Sequence, residues 1–481
     1  MFMPVGLRGA GLAVIVTVAL AGCAATPAPL RVEAVVTTAE AGERLAPLAV
    51  TELPVDSRAR GGVRIRLDPT RRFQPIEGYG AALTDASALL LTALPARLRD
   101  SVLRELYAPT AGIGLSMVRV PIGASDYSPA HYTLHDGPGQ LADTLLAGVV
   151  FAGEAARVEL LRQLRRAQPT LRIMGTPWSA PAWMKTPPRL PGGTLREEAM
   201  PVYARYLQRV VRAYDSAGVP LALLSVQNEP RHEPPDYPGM RLSAAQRARL
   251  IGGHLGPLLS QLPRAPRLLE WDHNWDAPEE PLAVLADSAA RRYVHGVAWH
   301  CYAGDVQAQD SVHAAYPAVA TYFTECAGGD WAPTFGDNLL WNVRTLLIGA
   351  TTHWARGVML WNLALDPLHG PHLGGCTNCR GVLTIDTVAQ TVQRNEEYYA
   401  LAHASRYVRD GAVRMGSTLA GAGDSSLVQV AFANADGSSV VLMANSAPAA
   451  VRVEVVREGR TVVMQVPGRS VVTVRMGAVR D

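Results

Sequence analysis

The chain has 481 residues, 48% of them apolar and 18% charged, with a formal net charge of +3. That length allows one large domain with a smaller companion, and the low charged share excludes a disordered chain. The mildly basic balance comes almost wholly from dispersed arginine, with Lys185 as the one lysine, so it does not mark a nucleic-acid binder, which gathers its basic residues on one face.

The chain opens on a short targeting pattern. Arg8 precedes the apolar run Leu12 to Leu20, and Leu20-Ala21-Gly22-Cys23 follows. A basic start, a short apolar stretch and small residues make a secretory signal over residues 1–22, and the run is shorter than the roughly 20 residues a spanning helix needs. The Leu-Ala-Gly-Cys ending resembles a bacterial lipoprotein signal. It implies lipid on Cys23, an Ala/Pro-rich tether over 23–30, and an exported protein held at the bacterial cell envelope, on the outer membrane or periplasmic face, through that lipid alone.

Residues 31–72 carry strand-like pieces such as Val63–Leu67. Over residues 73–404, eight short apolar runs alternate with longer amphipathic stretches. The runs are Ile76–Tyr79, Leu115–Val120, Leu171–Gly175, Leu221–Val226, Arg267–Trp271, Gly296–His300, Ala318–Phe323 and Val358–Leu360. Continuous apolar runs suit parallel strands buried on both faces. Ala96 to Tyr107 and Pro201 to Ala217 read as helices between them, the second stopped by Gly218. Eight such units predict an α/β fold of the (β/α)8 TIM-barrel type. The rival is an open doubly wound sheet, but Gly78-Tyr79-Gly80 and Gly112-Ile113-Gly114 lack the third glycine of a dinucleotide turn. Residues 405–481 hold short Val-rich segments cut by Gly, Asn, Asp and Ser, the pattern of an all-β sandwich, against which the N-terminal strands are expected to pack.

Polar and aromatic residues gather where the apolar runs end, which in a barrel is the catalytic face. Val226-Gln227-Asn228-Glu229-Pro230 follows the fourth run and Phe323-Thr324-Glu325 the seventh. Two carboxyls among Trp178, Trp183, Trp361, Tyr302 and His300 suit sugar chemistry: one acid protonates the leaving oxygen and a second carboxylate meets the anomeric carbon. Glu229, at the end of a buried strand, is expected to have a raised pKa. Asn228 is placed to bind a sugar 2-hydroxyl. Retaining chemistry predicts carboxyls about 5 to 5.5 Å apart. No cofactor is required, and no His-Glu-x-x-His metal spacing occurs.

These blocks resemble glycoside hydrolase family 30, the family of glucosylceramidase and its bacterial relatives. The shared elements are Glu77-Gly78-Tyr79-Gly80-Ala81-Ala82-Leu83-Thr84-Asp85-Ala86, Val118 to Gly123, Pro177 to Lys185, Asn228-Glu229-Pro230, Phe323-Thr324-Glu325 and Trp361 to Leu365. The resemblance spans roughly residues 73 to 476 and implies a barrel with an attached β-sandwich and retaining hydrolysis of a β-linked glycoside, glycolipid or glucan. It puts Glu229 in the acid/base place and Glu325 in the nucleophile place. Asp85, Trp178, Asn228 and Trp361 would line the terminal sugar subsite, with Asp85 on the distal hydroxyls. Tyr302 and Arg119 would contact the nucleophile, and Tyr237 would lie near the acid/base. His300 either supports strand packing or holds Glu325. A glucosylceramidase-type β-glucosidase is the first expectation for substrate, an endo-β-1,6-glucanase of the same family the second, and a non-catalytic surface glycan binder the third.

Four cysteines remain after Cys23. Cys376 and Cys379 are read as a local disulfide, in keeping with an oxidising compartment, within a loop bordering the active-site mouth. Cys301 and Cys326 either pair or remain as two buried thiols.

Overall fold

A computed structural model describes residues 1, 30–40, 42–53, 62–137, 146, 151, 153–421 and 426–478. The expected signal, Cys23 and nearly all of the tether lie outside these residues. Eight parallel strands close into a barrel. They are β1 (Gly78–Ala82), β2 (Met117–Ile122), β3 (Arg172–Pro177), β4 (Leu223–Ser225), β5 (Arg267–Asn274), β6 (Val294–His300), β7 (Ala320–Glu325) and β8 (Ala355–Leu360). Each coincides with one apolar run, shifted by a few residues. Closure comes from β8 pairing in parallel with β1, Val358 opposite Tyr79.

Side chains fill the barrel. Met117, Met174, Leu223, Leu269, Ala298, Ala320, Tyr322 and Met359 form a buried plug across its middle. Helices pack outside. Met200–Ser216 buries Tyr203, Tyr206, Leu207, Val210, Val211 and Tyr214, spaced three and four apart on one face, and the chain turns at Gly218, whose φ of 79° suits a residue without Cβ. Among the described residues no helix is long and apolar enough to cross a membrane.

Apart from three small sheets of two or three strands, the other described strands make one ten-stranded sheet with its own core, which includes Val63, Ile65, Val453, Val455, Val462 and Val474. N-terminal strands are built into it together with the C-terminal segment, as the sequence led one to expect. Val32–Thr38 pairs antiparallel with Ser470–Met476, and Val63–Pro75 pairs with both Val413–Gly421 and Val451–Arg457. From Val32 onward the chain therefore passes through the sandwich, then the barrel, and returns to the sandwich. His403, in the helix Glu396–Ser405, bonds Thr37 and Thr473 of the sheet and ties the two units together.

Candidate active site

At the C-terminal ends of the barrel strands lies a pocket of about 280 Å³ lined by Asp126, Trp178, Asn228, Glu229, Tyr237, Tyr302, Glu325, Trp331, Trp361, Cys376 and Cys379. A larger cavity of about 780 Å³ lies between barrel and sandwich, but Asp305 is the one acid on its wall. The smaller pocket holds the chemistry.

Two irregularities in strand pairing aim the polar groups inward. Trp271 faces Ala298 and His273 faces Trp299 across β5 and β6, leaving Asp272 as an extra residue with φ of 54°. Between β6 and β7, Trp299 faces Phe323 while His300 faces Glu325, leaving Thr324 extra. An added residue bends a strand and re-aims its side chains. Here it brings Asp272 fully inside, where it accepts from Thr324 Oγ1 at 2.7 Å, Arg119 Nη2 at 3.0 Å and Thr176 Oγ1 at 3.2 Å. Glu229 itself sits at φ 45°, with its backbone N–H donating to the Asp272 carbonyl. Left-handed backbone at a bulky residue is strained and persists where surrounding contacts hold it.

The two glutamates face each other across one imidazole. His300 Nδ1 lies 3.1 Å from Glu229 Oε1 and 3.9 Å from Glu325 Oε1, and its Nε2 lies 3.0 Å from Asp272 Oδ1. His300 thus holds Glu229 and Asp272, not Glu325. Glu325 is bound instead by the Tyr302 hydroxyl at 3.0 Å and by the Arg119 guanidinium. Arg119 also donates to Asn228 Oδ1 at 2.7 Å and lies 4.9 Å from the Trp178 ring centre. Trp178 and Trp361 stack on each other at 5.3 Å. Their buried aromatic walls offer flat apolar area beside charged groups, which suits a sugar ring.

The charge distribution corrects one expectation. Burial pushes Glu229 up, but the bond to His300 and the charges of His300, His273 and His232 outweigh it and bring it down to about 2. Glu325 is raised by burial, opposed by His300 and Arg119 and reinforced by Glu229 and Asp272. Burial lowers His300, yet the charge of Glu325, its bonds to Asp272 and Glu229 and the charge of Asp272 prevail and lift it to about 9. The raised carboxyl is Glu325, and beside Glu229 the proton rests on the imidazole.

Asp85 is placed differently from the two glutamates. It is buried away from the pocket wall, with Ser128 and Tyr132 hydroxyls on one carboxyl oxygen at 2.6 and 2.9 Å and Arg157 3.2 Å from the other. Those partners tie it to the loop after β2. The carboxyl on the pocket wall is Asp126, in that same loop. Burial, helped by the charge of Glu325, raises its pKa to about 8. Sequence reading missed Asp126, Asp272, His273 and Trp331. The polar cluster Asp272-His273-Asn274 ending the fifth run was the available signal for two of them. Tyr237 is on the wall, its hydroxyl 3.0 Å from His232 Nε2. Trp183 is not, its indole N–H donating to the His135 carbonyl. Cys376 and Cys379 are bonded, as are Cys301 and Cys326, which tie the end of β6 to the residue after Glu325.

A filled (β/α)8 barrel with an appended sandwich, carrying facing carboxyls in a tryptophan-walled pocket, defines an O-glycosyl hydrolase. Residues 76–408 match the glycosyl hydrolase family 30 TIM-barrel domain and residues 411–474 the family's β-sandwich domain. The chain belongs to glycosyl hydrolase family 30, whose members hydrolyse with retention. It is 37% identical over 394 residues to an endo-1,6-β-D-glucanase of Neurospora crassa, covering 78% of this chain and 80% of that one. It is 28% identical to the lysosomal acid glucosylceramidase of Mus musculus, over 81% and 78% of the two chains. Among solved structures, the endo-β1,6-glucanase BT3312 superposes with a TM-score of 0.85 at 27% identity, over 93% of this chain and 99% of that one.

Proposed function

We propose that this retaining hydrolase is an endo-β-1,6-glucanase. The observation that carries the reading is its similarity to the Neurospora enzyme, well above its similarity to the glucosylceramidase. The order of the first two substrate expectations is thereby reversed. Endo-1,6-glucanases of Aspergillus fumigatus, 33% identical, and Trichoderma harzianum, 32% identical, point the same way.

In this reading a Glu325 carboxylate oxygen attacks the anomeric carbon as the glycosidic C–O bond breaks, and Glu229 delivers a proton to the leaving oxygen. Water then attacks the glycosyl ester, Glu229 takes its proton, and Glu325 is released. The protonated His300 passes its proton through Glu229 to the leaving oxygen, and recovers it from Glu229 once Glu229 has taken the proton of the attacking water. Glu325's charge is a large part of what lifts His300. Its loss on attack loosens that hold at the moment the leaving oxygen needs the proton. Asp126, Trp178, Asn228 and Trp361 bind the sugar whose bond is cut.

The test is a panel of β-1,6-glucan, glucosylceramide and xylan with product sizing and anomer detection by NMR. Internal cleavage of the β-1,6-glucan to β-anomeric oligosaccharides is expected. Glucose release from glucosylceramide with no action on the glucan would overturn the reading.

We propose further that the chain is exported and lipid-anchored at Cys23. The Leu20-Ala21-Gly22-Cys23 sequence and two disulfides, which persist in oxidising compartments, support this. Detergent phase partition that Cys23→Ser abolishes is the expected result.

A further inference from the structure

We infer that Trp331 is the platform for the glucose unit on the leaving-group side of the cut, a subsite that gives the enzyme its preference for a glucan over other β-glucosides. This rests on the endo-β-1,6-glucanase reading and names the residue that selects the leaving group within that site.

The pocket has an inner and an outer set of aromatic walls. Trp178 and Trp361 are 3% and 4% exposed and stack beside Arg119, whereas Trp331 is 56% and Tyr302 46% exposed. The inner pair closes around the sugar that stays on the enzyme, so the departing sugar must pass the outer pair. An indole face half open to water yet forming part of a catalytic pocket is apolar area left without a protein partner. A pyranose ring, with apolar C–H faces and hydroxyls at its edge, covers such a face while its hydroxyls remain in water.

The platform is held rigidly. Gly328 and Gly329 pair antiparallel with Arg380 and Cys379, and the Cys376–Cys379 disulfide fixes the opposing loop. Asp330 N–H donates to the Asn378 carbonyl, and Ala332 N–H to Gly329, closing the turn that carries the indole. His369 Nε2 lies 3.0 Å from Asp330, and the two Arg380 contacts to Glu396 and Glu397 anchor the second strand. The ring lies directly over Gly329, where an added Cβ would meet it at 2.1 Å. The glycine is what allows the indole to lie down on the ledge, and a side chain there must lift it. A platform fixed before binding loses little ordering entropy when a sugar lands on it.

The experiment compares two substrates that differ only on the leaving-group side: a linear β-1,6-gluco-oligosaccharide and β-gentiobiosyl fluoride, whose leaving group is a single atom. For Trp331→Ala, kcat/KM on the oligosaccharide is expected to fall about tenfold or more, mainly through KM, with the fluoride changed less than about twofold. Trp331→Phe should restore most of the loss. Gly329→Ala keeps the indole but displaces it, and should reproduce the Trp331→Ala pattern. Equal losses on both substrates, or none on the oligosaccharide, overturn the platform while leaving the endo-glucanase reading intact. A wild-type enzyme that turns over the fluoride and cannot cut the oligosaccharide overturns both.

Discussion

The two ends of the barrel each bury a cluster of charge, and they are built on opposite terms. At the N-terminal end Glu77, just before β1, accepts from Arg267 at 3.0 Å and from the Tyr322 hydroxyl at 2.8 Å, with Arg172 and Arg356 within 3.9 Å. Cations surround one carboxylate. Burial raises its pKa, but the bond and charge of Arg267, the Tyr322 bond and Arg172 win, and it is lowered. At the C-terminal end the acids Glu229, Glu325 and Asp272 share Arg119 and His300, Asp126 lies beside them on the pocket wall, and two of the four carboxyls are raised. One end satisfies its charges and stiffens the barrel. The other keeps them in competition, ready to move a proton. Catalytic residues at the strand C-termini and stabilising ones at the opposite face follow the division of labour of this architecture.

That contrast can be broken by exchanging the roles. Glu325→Gln is expected to lower kcat by about 10⁴-fold or more, with Tm unchanged or raised because its charge is disfavoured in the fold, and Glu229→Gln to lower kcat by about 10²- to 10⁴-fold, with Tm slightly lowered because His300 loses a partner. Steady-state kinetics with calorimetry would show it, and a large loss of Tm would assign these residues to the fold instead. Glu77→Gln should do the reverse. It leaves Arg267 and Arg172 short of a partner and costs about 3 kcal/mol in urea unfolding, while kcat stays within about twofold. The contributions of Glu77 and Glu325 to the pH dependence of stability have opposite signs. Glu77's lowered pKa adds stability that is lost as pH falls through the acid range, whereas Glu325's raised pKa makes stability fall as pH rises through it.

The two aspartates near the loop after β2 sharpen the comparison within one end. Asp126→Ala should raise KM about tenfold with a small change in stability. Asp85→Ala removes the partner of buried Arg157 and should cost about 3 kcal/mol of stability. Equal KM effects would return Asp85 to the sugar site. The smallest effect expected is in the pH profile of kcat/KM. Activity should fall on the alkaline side as His300 loses its proton near pH 9, and on the acid side as Glu325 is protonated above the ordinary carboxylate range. His300→Asn should remove the alkaline limb, and Asp126→Asn should keep it.

Much of this was legible in the chain alone. Eight apolar runs foretold eight strands, because a parallel strand buried on both faces must be apolar throughout. Asn228-Glu229 and Glu325 stood out because they end such runs. Asp85 and Asp126 could not be separated in the same way. Both lie shortly after strand-like segments, and only the helix Ala155–Ala167, arriving from elsewhere in the chain with Arg157, decides which one is neutralised. Nor could the rise of Glu229's pKa be judged from burial alone. The extra residues at Asp272 and Thr324 turn His300 toward Glu229, and a bulge depends on how two distant strands are set in register. Sequence determined the barrel, its sandwich and the two facing glutamates, because periodicity and local residue chemistry are properties of neighbours along the chain. Only the tertiary structure decided where the site's proton rests, which aspartate lies on the pocket wall, and that Trp331 lies at the mouth, because charge and access depend on residues that meet in space.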